Sequence, residues 1–192
     1  MSLRTTRLNK AREAAFRLRG GLWTLLFIVV LVVAEPVSRG TAALGLLIVA
    51  LGQGIRFWAA GSITLYRGEK VRAAKLVTWG PYALARNPLY IGNGLIGAGW
   101  GLMAGGKALL LFAAGFLIIY CLLIIPWEEA FLQGKFGTDY EEYRANTGRF
   151  FPLRLPSGRI KGPFEPSILW ESERHSLLVT AAGTALLLAR VF

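Results

Sequence analysis

Two adjacent acids, Glu128 and Glu129, directly follow a long apolar run. A carboxylate at the edge of a hydrocarbon layer is costly unless it is paired with a positive group. Neighbouring residues on a helix do not share a face, so we expect one acid to face a ligand and the other to meet solvent or an arginine. A carboxylate in this position can pair with the ammonium group of a ligand. The alternative is that both are interfacial acids that bind nothing.

The segment around Arg86 has the opposite charge. Asn87-Pro88 predicts a helix start, because asparagine caps free backbone N–H groups and proline fits the first helical position. The free amides and the positive end of the helix dipole, beside Arg86, suit a carboxylate or a phosphate. Together with Tyr82 and Tyr90, this group indicates a ligand site. The alternative is that these residues only cap a helix and anchor it to lipid headgroups.

The helix that follows is rich in glycine. Its sequence matches the pattern G-x-G-x-x-G, but a dinucleotide fingerprint must follow a strand, and this pattern lies inside an apolar helix. The glycines instead favour close approach of another helix, while a groove for a lipid tail remains open. The residues concerned are Gly92, Gly94, Gly97, Gly99 and Gly101.

Composition indicates what kind of fold must position these residues. The chain has 192 residues, of which 54% are hydrophobic and only 17% charged. A soluble domain of this size would expose too much apolar surface, whereas a bilayer would bury it. We therefore predict an all-α, polytopic membrane bundle of four to five transmembrane helices. The apolar runs are residues 21–34, 41–60, 88–105 and 108–126, with a shorter run at 177–188 whose crossing stays open.

We predict one membrane domain over residues 1–192. A polar, aromatic segment follows the fourth run, with Gly137 ending one short helix and a capping box at Thr138 and Glu141 opening the next. The predicted divisions are a basic tail at 1–20 that includes a short interfacial helix, a tight helical hairpin at 21–60, a connector at 61–87, a second hairpin at 88–126, the polar segment at 127–166 and an apolar helix at 167–192.

The distribution of positive charge predicts the orientation. The chain carries 22 Lys and Arg against 11 Asp and Glu, a net charge of +11. Only Arg39 and Lys107 lie in the two turns opposite the basic segments, so the positive-inside rule places the N-terminus and the site in the cytosol. Nucleic-acid binding is not expected, because no recognition module accompanies the charge. The single cysteine, Cys121, and the single histidine, His175, predict neither a disulfide nor a metal site.

The chain resembles the isoprenylcysteine carboxyl methyltransferases and their phospholipid methyltransferase relatives. The resemblance runs from about Arg56 to Pro152 in two ordered blocks. The first block contains Leu76, Gly80-Pro81-Tyr82, Arg86-Asn87-Pro88, Tyr90 and Gly92; the second contains Glu128-Glu129, Leu132, Phe136-Gly137, Tyr140, Tyr143, Gly148-Arg149 and Pro152. The family often has Arg-His-Pro where this chain has Asn87, which cannot titrate, so a general base at this position is unsupported.

The resemblance implies that S-adenosylmethionine binds in a cytosol-facing pocket, which the cytosolic C-terminal helical segment closes. It also implies methylation of a lipophilic, membrane-borne acceptor, such as an isoprenylcysteine-like carboxylate or a phospholipid amine. Arg149 resembles the family arginine near the reacting end of the acceptor, and Arg149 and Glu129 are the expected catalytic residues. The cofactor contacts implied by position are Lys75, Tyr82, Arg86, Asn87, Pro88, Tyr90, Glu128 and Glu129.

Two other functions compete with this interpretation. An NADPH-dependent membrane reductase of the sterol-reductase type would predict a longer chain, more helices and extra basic contacts for a 2′-phosphate. A non-enzymatic membrane adaptor would explain the hydrophobicity but not the two polar blocks. One further residue is notable: a buried Arg56 would need a carboxylate partner, and it could be structural or point into the site.

Overall fold

A computed structural model describes residues 3–63, 75–153 and 158–191. Parts of the predicted connector and polar segment, residues 64–74 and 154–157, lie outside this range. The described part is helical and contains no strand. Its elements are α1 (Leu3–Arg17), α2 (Arg19–Val32), α3 (Arg39–Gly61), α4 (Pro81–Leu84), α5 (Pro88–Ala104), α6 (Gly106–Phe116), a π-helix (Leu117–Ile124), α7 (Ile125–Phe136), α8 (Thr138–Asn146) and α9 (Ser167–Leu188).

The described helices include two that are long and apolar enough to cross a membrane. These are α3 and the continuous helix Gly106–Phe136; a third is added if α1 and α2, bent by 77°, form one broken span. Helix α5 has 17 residues, which at about 1.5 Å per residue falls short of a hydrocarbon core of about 30 Å. The all-helical prediction is therefore confirmed, with two to three candidate spans rather than the predicted four to five.

The helix that contains the acidic pair continues past the predicted end of the fourth apolar run. Residues 106–136 form one continuous helix that passes through Pro126. Proline removes a backbone donor and clashes with the carbonyl four residues earlier. The π-helix at Leu117–Ile124 lies immediately before this proline, and its wider turn accommodates the missing donor. As a result, Glu128 and Glu129 lie on a helix that continues the apolar run and not in a loop.

Close packing of α3 against α5 explains the glycines. Gly45 and Gly52 of α3 face Gly99 and Gly92 of α5. A Cβ placed on Gly99 would lie 2.5 Å from the Gly45 carbonyl oxygen, and one on Gly52 would lie 2.8 Å from the Gly92 oxygen. The three remaining glycines of α5 face side chains of the next helix, Gly94 against Phe116, Gly97 against Phe112 and Gly101 against Leu109. Helix packing is thus the role of these glycines.

We expect Gly99→Ala to destabilise the bundle by about 1–3 kcal/mol, the usual effect of overpacking. The clash is with backbone, which cannot rotate away as a side chain can. Thermal unfolding in detergent measures the change. Gly54→Ala, on α3 with nothing within 4 Å of its added Cβ, is the matched control and should not lower the midpoint. Equal midpoints for the two variants would contradict the packing argument.

Helix α9 packs against α3 and is tied at its two ends to α3 and α2. The backbone N–H of Glu165, just before α9, donates to the Gly61 carbonyl at 2.8 Å, and Arg190, just after α9, donates to the Leu31 carbonyl at 2.8 Å. Helix α9 packs against α3 and α5, while α2 packs against α6 and α5. Residues 21–60 therefore do not close into the predicted tight hairpin, because the main partner of α3 is α5.

The N-terminal segment forms a helix, α1, as predicted, and its place at the membrane interface stays a prediction. Helix α1 packs against the π-helix and α7. The Phe16 ring lies 4.4 Å from that of Trp127 between centroids, and the Arg19 guanidinium lies 4.3 Å above the Phe16 ring. Helix α1 thus covers the part of α7 that precedes the acidic pair.

Candidate active site

Helix α5 begins as predicted, with Asn87 at the N-cap and Pro88 in the first turn. The Asn87 side chain does not cap the helix, which corrects the expected role of this residue. Its amide nitrogen donates to Glu129 Oε1 at 3.1 Å instead. This bond uses the amide nitrogen, whereas a cap would use the side-chain oxygen as acceptor. Because hydrogen bonds to ionised groups are roughly twice as strong as neutral ones, the contact with Glu129 determines where the amide points.

Glu129 is the centre of a buried cluster of four residues, the Glu129 cluster, which also contains Arg86, Asn87 and Arg149. Arg86 donates to Glu129 Oε1 from Nε at 3.2 Å and from Nη2 at 3.1 Å. Arg149 Nη2 donates to Oε2 at 2.6 Å. The side chains of Glu129 and Arg86 are only 10% and 9% exposed. Glu129 is therefore the acid that meets arginines, as expected for one of the pair.

The same arginine joins the start of α5 to the end of α8. The Arg86 backbone N–H donates to the Gly148 carbonyl at 2.9 Å, and its Nη1 donates to the carbonyl oxygens of Arg144 and Thr147. Glycine is required at position 148, because a Cβ there would lie 2.0 Å from the Phe151 carbonyl oxygen. The two sequence blocks, far apart in the chain, thus converge at one end of the bundle.

The turn between α7 and α8 differs from the predicted capping box. Gly137 ends α7 as expected, but it also occupies the N-cap position of α8 with φ of +52°, and Thr138 is already helical. Glu141 accepts a hydrogen bond from Gln133 at 2.8 Å. The left-handed glycine joins the two helices directly, so no capping residue remains between them.

Glu128 points in a different direction from Glu129. Its Oε2 accepts a hydrogen bond from the Tyr90 hydroxyl at 2.7 Å, and the Tyr90 ring lies 5.5 Å from that of Tyr120. Within the described residues, Oε1 of Glu128 accepts no hydrogen bond, and the side chain is partly exposed. An ionised oxygen beside aromatic rings is suited to a cation.

The remaining predicted contacts lie in different places. Tyr82 is joined to α8, because its carbonyl oxygen accepts a hydrogen bond from the Tyr143 hydroxyl at 2.7 Å. Burial raises the pKa of Tyr143, so this hydroxyl stays protonated and donates. Lys75 is exposed, and its ammonium lies 5.2 Å above the Trp79 ring. The structure therefore does not bring Lys75 to the Glu129 cluster.

The site has two charged sides. On one side, Arg149 is 38% exposed and remains cationic, because its hydrogen bond to Glu129 raises its pKa. The start of α5 beside Arg86 adds the positive end of a helix dipole. On the other side, Glu128 has a carboxylate oxygen without a partner in the described part of the chain. The arrangement can receive a molecule with both an anionic and a cationic group.

For one buried ion pair, the sequence indicated one partner but not the other. Arg56 pairs with Glu173, with Nη2 to Oε2 at 2.7 Å, and Arg56 Nη1 also donates to Asn93. The need of Arg56 for a carboxylate is confirmed, but its partner could not be chosen from several acids. Glu173 lies in a polar stretch of α9 beside Glu171, Arg174 and His175, so its sequence context did not distinguish it.

A profile of the phospholipid methyltransferases matches residues 41–139. The matched region includes the start of α5 and the acidic pair, and it ends before Arg149. No solved structure matches the chain significantly.

Two curated relatives are similar to part of this chain. The cobalt-zinc-cadmium resistance protein CzcN of Cupriavidus metallidurans is 38% identical over 117 residues, which cover 60% of this chain and 51% of that protein. The nickel-cobalt-cadmium resistance protein NccN of Alcaligenes xylosoxydans xylosoxydans is 30% identical over 146 residues, which cover 71% of this chain and 65% of that protein. The matches thus span between 51% and 65% of the relatives' lengths.

The relatives' names describe metal resistance and not a reaction. Within the described residues, no three His, Cys, Asp or Glu side chains lie close enough to hold a metal ion together. The family profile spans half of the chain and includes the start of α5 and the acidic pair of α7. With its apolar helices, this is a membrane protein that belongs to the phospholipid methyltransferase family.

Proposed function

We propose that the protein is an S-adenosylmethionine-dependent methyltransferase that acts on a lipophilic, membrane-borne acceptor. The supporting observation is that one carboxylate oxygen of Glu128 has no partner among the described residues, while a positive helix start and two arginines lie nearby. The amino-acid end of this cofactor carries both an ammonium and a carboxylate, so its charges match the two sides of the site. When bound, the cofactor supplies a methyl group on a positively charged sulfur.

Each charged group of the cofactor can be assigned to particular residues of the site. Glu128 would pair with the ammonium. The start of α5, at Asn87 and Pro88 beside Arg86, would receive the carboxylate. The ring of Tyr90, held by its hydrogen bond to Glu128, offers a face that favours a sulfonium. Tyr82, whose carbonyl is bonded to Tyr143 of α8, is a further cofactor contact in this proposal. Lys75 is not included, because it is exposed and lies over the Trp79 ring.

The acceptor is proposed to approach Arg149. This guanidinium is the most exposed charge of the Glu129 cluster, and Glu129 holds it through two nitrogens. Methyl transfer from a sulfonium is an in-line displacement, in which positioning of the two reactants supplies most of the catalysis. An isoprenylcysteine-like carboxylate would pair with Arg149 directly. A phospholipid amine would present its phosphate to the same guanidinium.

The family and the charge distribution support the remaining parts of the proposal. Membership of a methyltransferase family favours methyl transfer over the reductase and the adaptor. We place the N-terminus and the site on the cytosolic side of a multi-pass protein, because the basic residues concentrate at that end. The acceptor would then reach the site sideways from the inner leaflet.

The test incubates the purified protein with methyl-labelled S-adenosylmethionine and a lipid extract. We expect label to pass into the organic phase, and Glu128→Gln to weaken cofactor binding about 10- to 100-fold, since a hydrogen bond to a charged group contributes about 1.5–3 kcal/mol. Glu142→Gln, an exposed acid on α8, is the matched control and should bind normally.

Two results would contradict different parts of this proposal. If the wild-type protein neither binds the cofactor nor transfers label, the proposed function is wrong. If the wild type is active and Glu128→Gln binds the cofactor as tightly as Glu142→Gln does, the assignment of Glu128 is wrong.

A further inference from the structure

The ion pair between Arg56 and Glu173 is the most deeply buried in the described part of the chain. The Glu173 side chain is 1% exposed and that of Arg56 is 13% exposed. All three guanidinium nitrogens of Arg56 donate hydrogen bonds, two to Glu173 and one to Asn93. An arginine in such a position is costly unless its charge is compensated, so Glu173 stabilises Arg56 where it lies.

The two partners of this pair come from different parts of the chain. Arg56 lies on α3, inside the region matched by the family profile, 41–139. Glu173 lies on α9, outside that region. Helix α9 also contacts α5 at a second level, where Trp100 donates to the Thr184 hydroxyl at 3.0 Å. Helix α9 is thus attached by polar contacts at two heights of the bundle.

Arg56 connects Glu173 to α5, the helix whose start forms part of the site. Its stem lies against Gly92 of α5, where an added Cβ would lie 2.5 Å from Arg56 Cγ. Its Nη1 holds the side-chain oxygen of Asn93. Asn93 is three residues after Tyr90, so the two side chains share a face of α5, and the Tyr90 hydroxyl donates to Glu128.

We infer that Glu173 is a positioning residue for the proposed methyl transfer. Its negative charge keeps the Arg56 guanidinium on Asn93, and this contact sets the rotation of the first turns of α5. That rotation determines where Tyr90 meets Glu128. The inference rests on the proposed function, and it assigns to α9 a role in the site although α9 lies outside the family match.

The decisive variant is Glu173→Gln, which keeps the size of the side chain but removes its charge. We expect kcat/KM for the acceptor to fall about 10- to 100-fold, because small misplacements of catalytic groups have effects of this size. Glu171→Gln is the matched control, since Glu171 is an exposed acid two residues away on the same helix. It should retain full activity.

A double variant separates positioning from stability. Arg56→Met with Glu173→Met replaces the ion pair by apolar side chains, an exchange that often preserves or raises stability. We expect the double variant to have a thermal midpoint close to that of the wild type. Its kcat/KM should nevertheless remain low, because the Asn93 side-chain oxygen has lost its hydrogen-bond donor, Arg56. Recovery of activity together with stability would show that the pair is only a structural clamp, and would overturn the inference.

A measurement that needs no activity distinguishes this inference from the proposed function. Nitroxide labels on Leu89→Cys in α5 and Glu142→Cys in α8, in a Cys121→Ala background, report the position of the start of α5 relative to α8. We expect Glu173→Gln, but not Glu171→Gln, to shift or broaden the distance distribution. If the distances do not change, the inference is wrong even if the enzyme is active. If they change but the wild type binds no cofactor, the proposed function fails instead.

Discussion

Glu129→Gln is expected to lower the free energy of unfolding by about 3–5 kcal/mol, the range seen when one partner of a buried ion pair is removed. The substitution leaves Arg86, which is 9% exposed, without a counter-charge. It also turns an amide N–H₂ toward guanidinium donors. We further expect cofactor binding to be lost, because the start of α5 and the end of α8 are joined through Arg86.

The contrast with the neighbouring acid makes this prediction specific. Glu128→Gln removes a partly exposed charge that has one protein hydrogen bond in the described structure, from Tyr90. It should therefore retain the thermal midpoint within a few degrees while weakening cofactor binding. Thermal unfolding in detergent, followed by far-UV circular dichroism, measures both variants. A Glu129→Gln protein as stable as Glu128→Gln would show that the Glu129 cluster does not hold the two segments together.

Arg149→Ala is expected to lower kcat by about 100- to 1,000-fold, comparable to the loss of one preorganised charge-stabilising group in other active sites. The Arg149 side chain is 38% exposed. When Arg149 is replaced, Arg86 still compensates the charge of Glu129. Stability should therefore fall much less than in Glu129→Gln. Cofactor affinity should change only a few-fold, because the proposed role of Arg149 is toward the acceptor.

Two further variants test this role. Arg149→Lys keeps the charge but cannot contact Glu129 through two nitrogens, so we expect an intermediate rate. Arg144→Ala removes an exposed arginine of α8 whose carbonyl, not its side chain, contacts Arg86, and should leave kcat unchanged. Rates are measured as label transferred into lipid at saturating cofactor. If Arg149→Ala weakens cofactor binding as strongly as it lowers kcat, Arg149 serves the cofactor and not the acceptor.

Local sequence was sufficient for features that depend on neighbouring residues. The helix start at Asn87-Pro88, the end of α7 at Gly137 and the helical state of the apolar runs follow from backbone chemistry over a few residues. The glycines of α5 indicated close packing for the same reason, since a missing side chain is visible in the sequence itself. A pocket at the cytosolic side was implied by the family resemblance, and the two blocks do converge at one end of the bundle.

Other features depend on how the helices pack, and the sequence left them open. The adjacent acids Glu128 and Glu129 have the same chemistry, and only the rotation of α7 decides which one meets Arg86 and Arg149. Helix α7 continues through Pro126 because a π-helix precedes it, which no local propensity indicates.

The partner of Arg56 was undetermined for a related reason. Arg56 and Glu173 are separated by 117 residues, and any of several acids would have satisfied the charge. Burial of a charge requires compensation, and this much can be recognised from composition and position. The choice of partner is made by the packing of α9 along α3 and α5, because the energy of an ion pair depends on distances that only the assembled bundle determines.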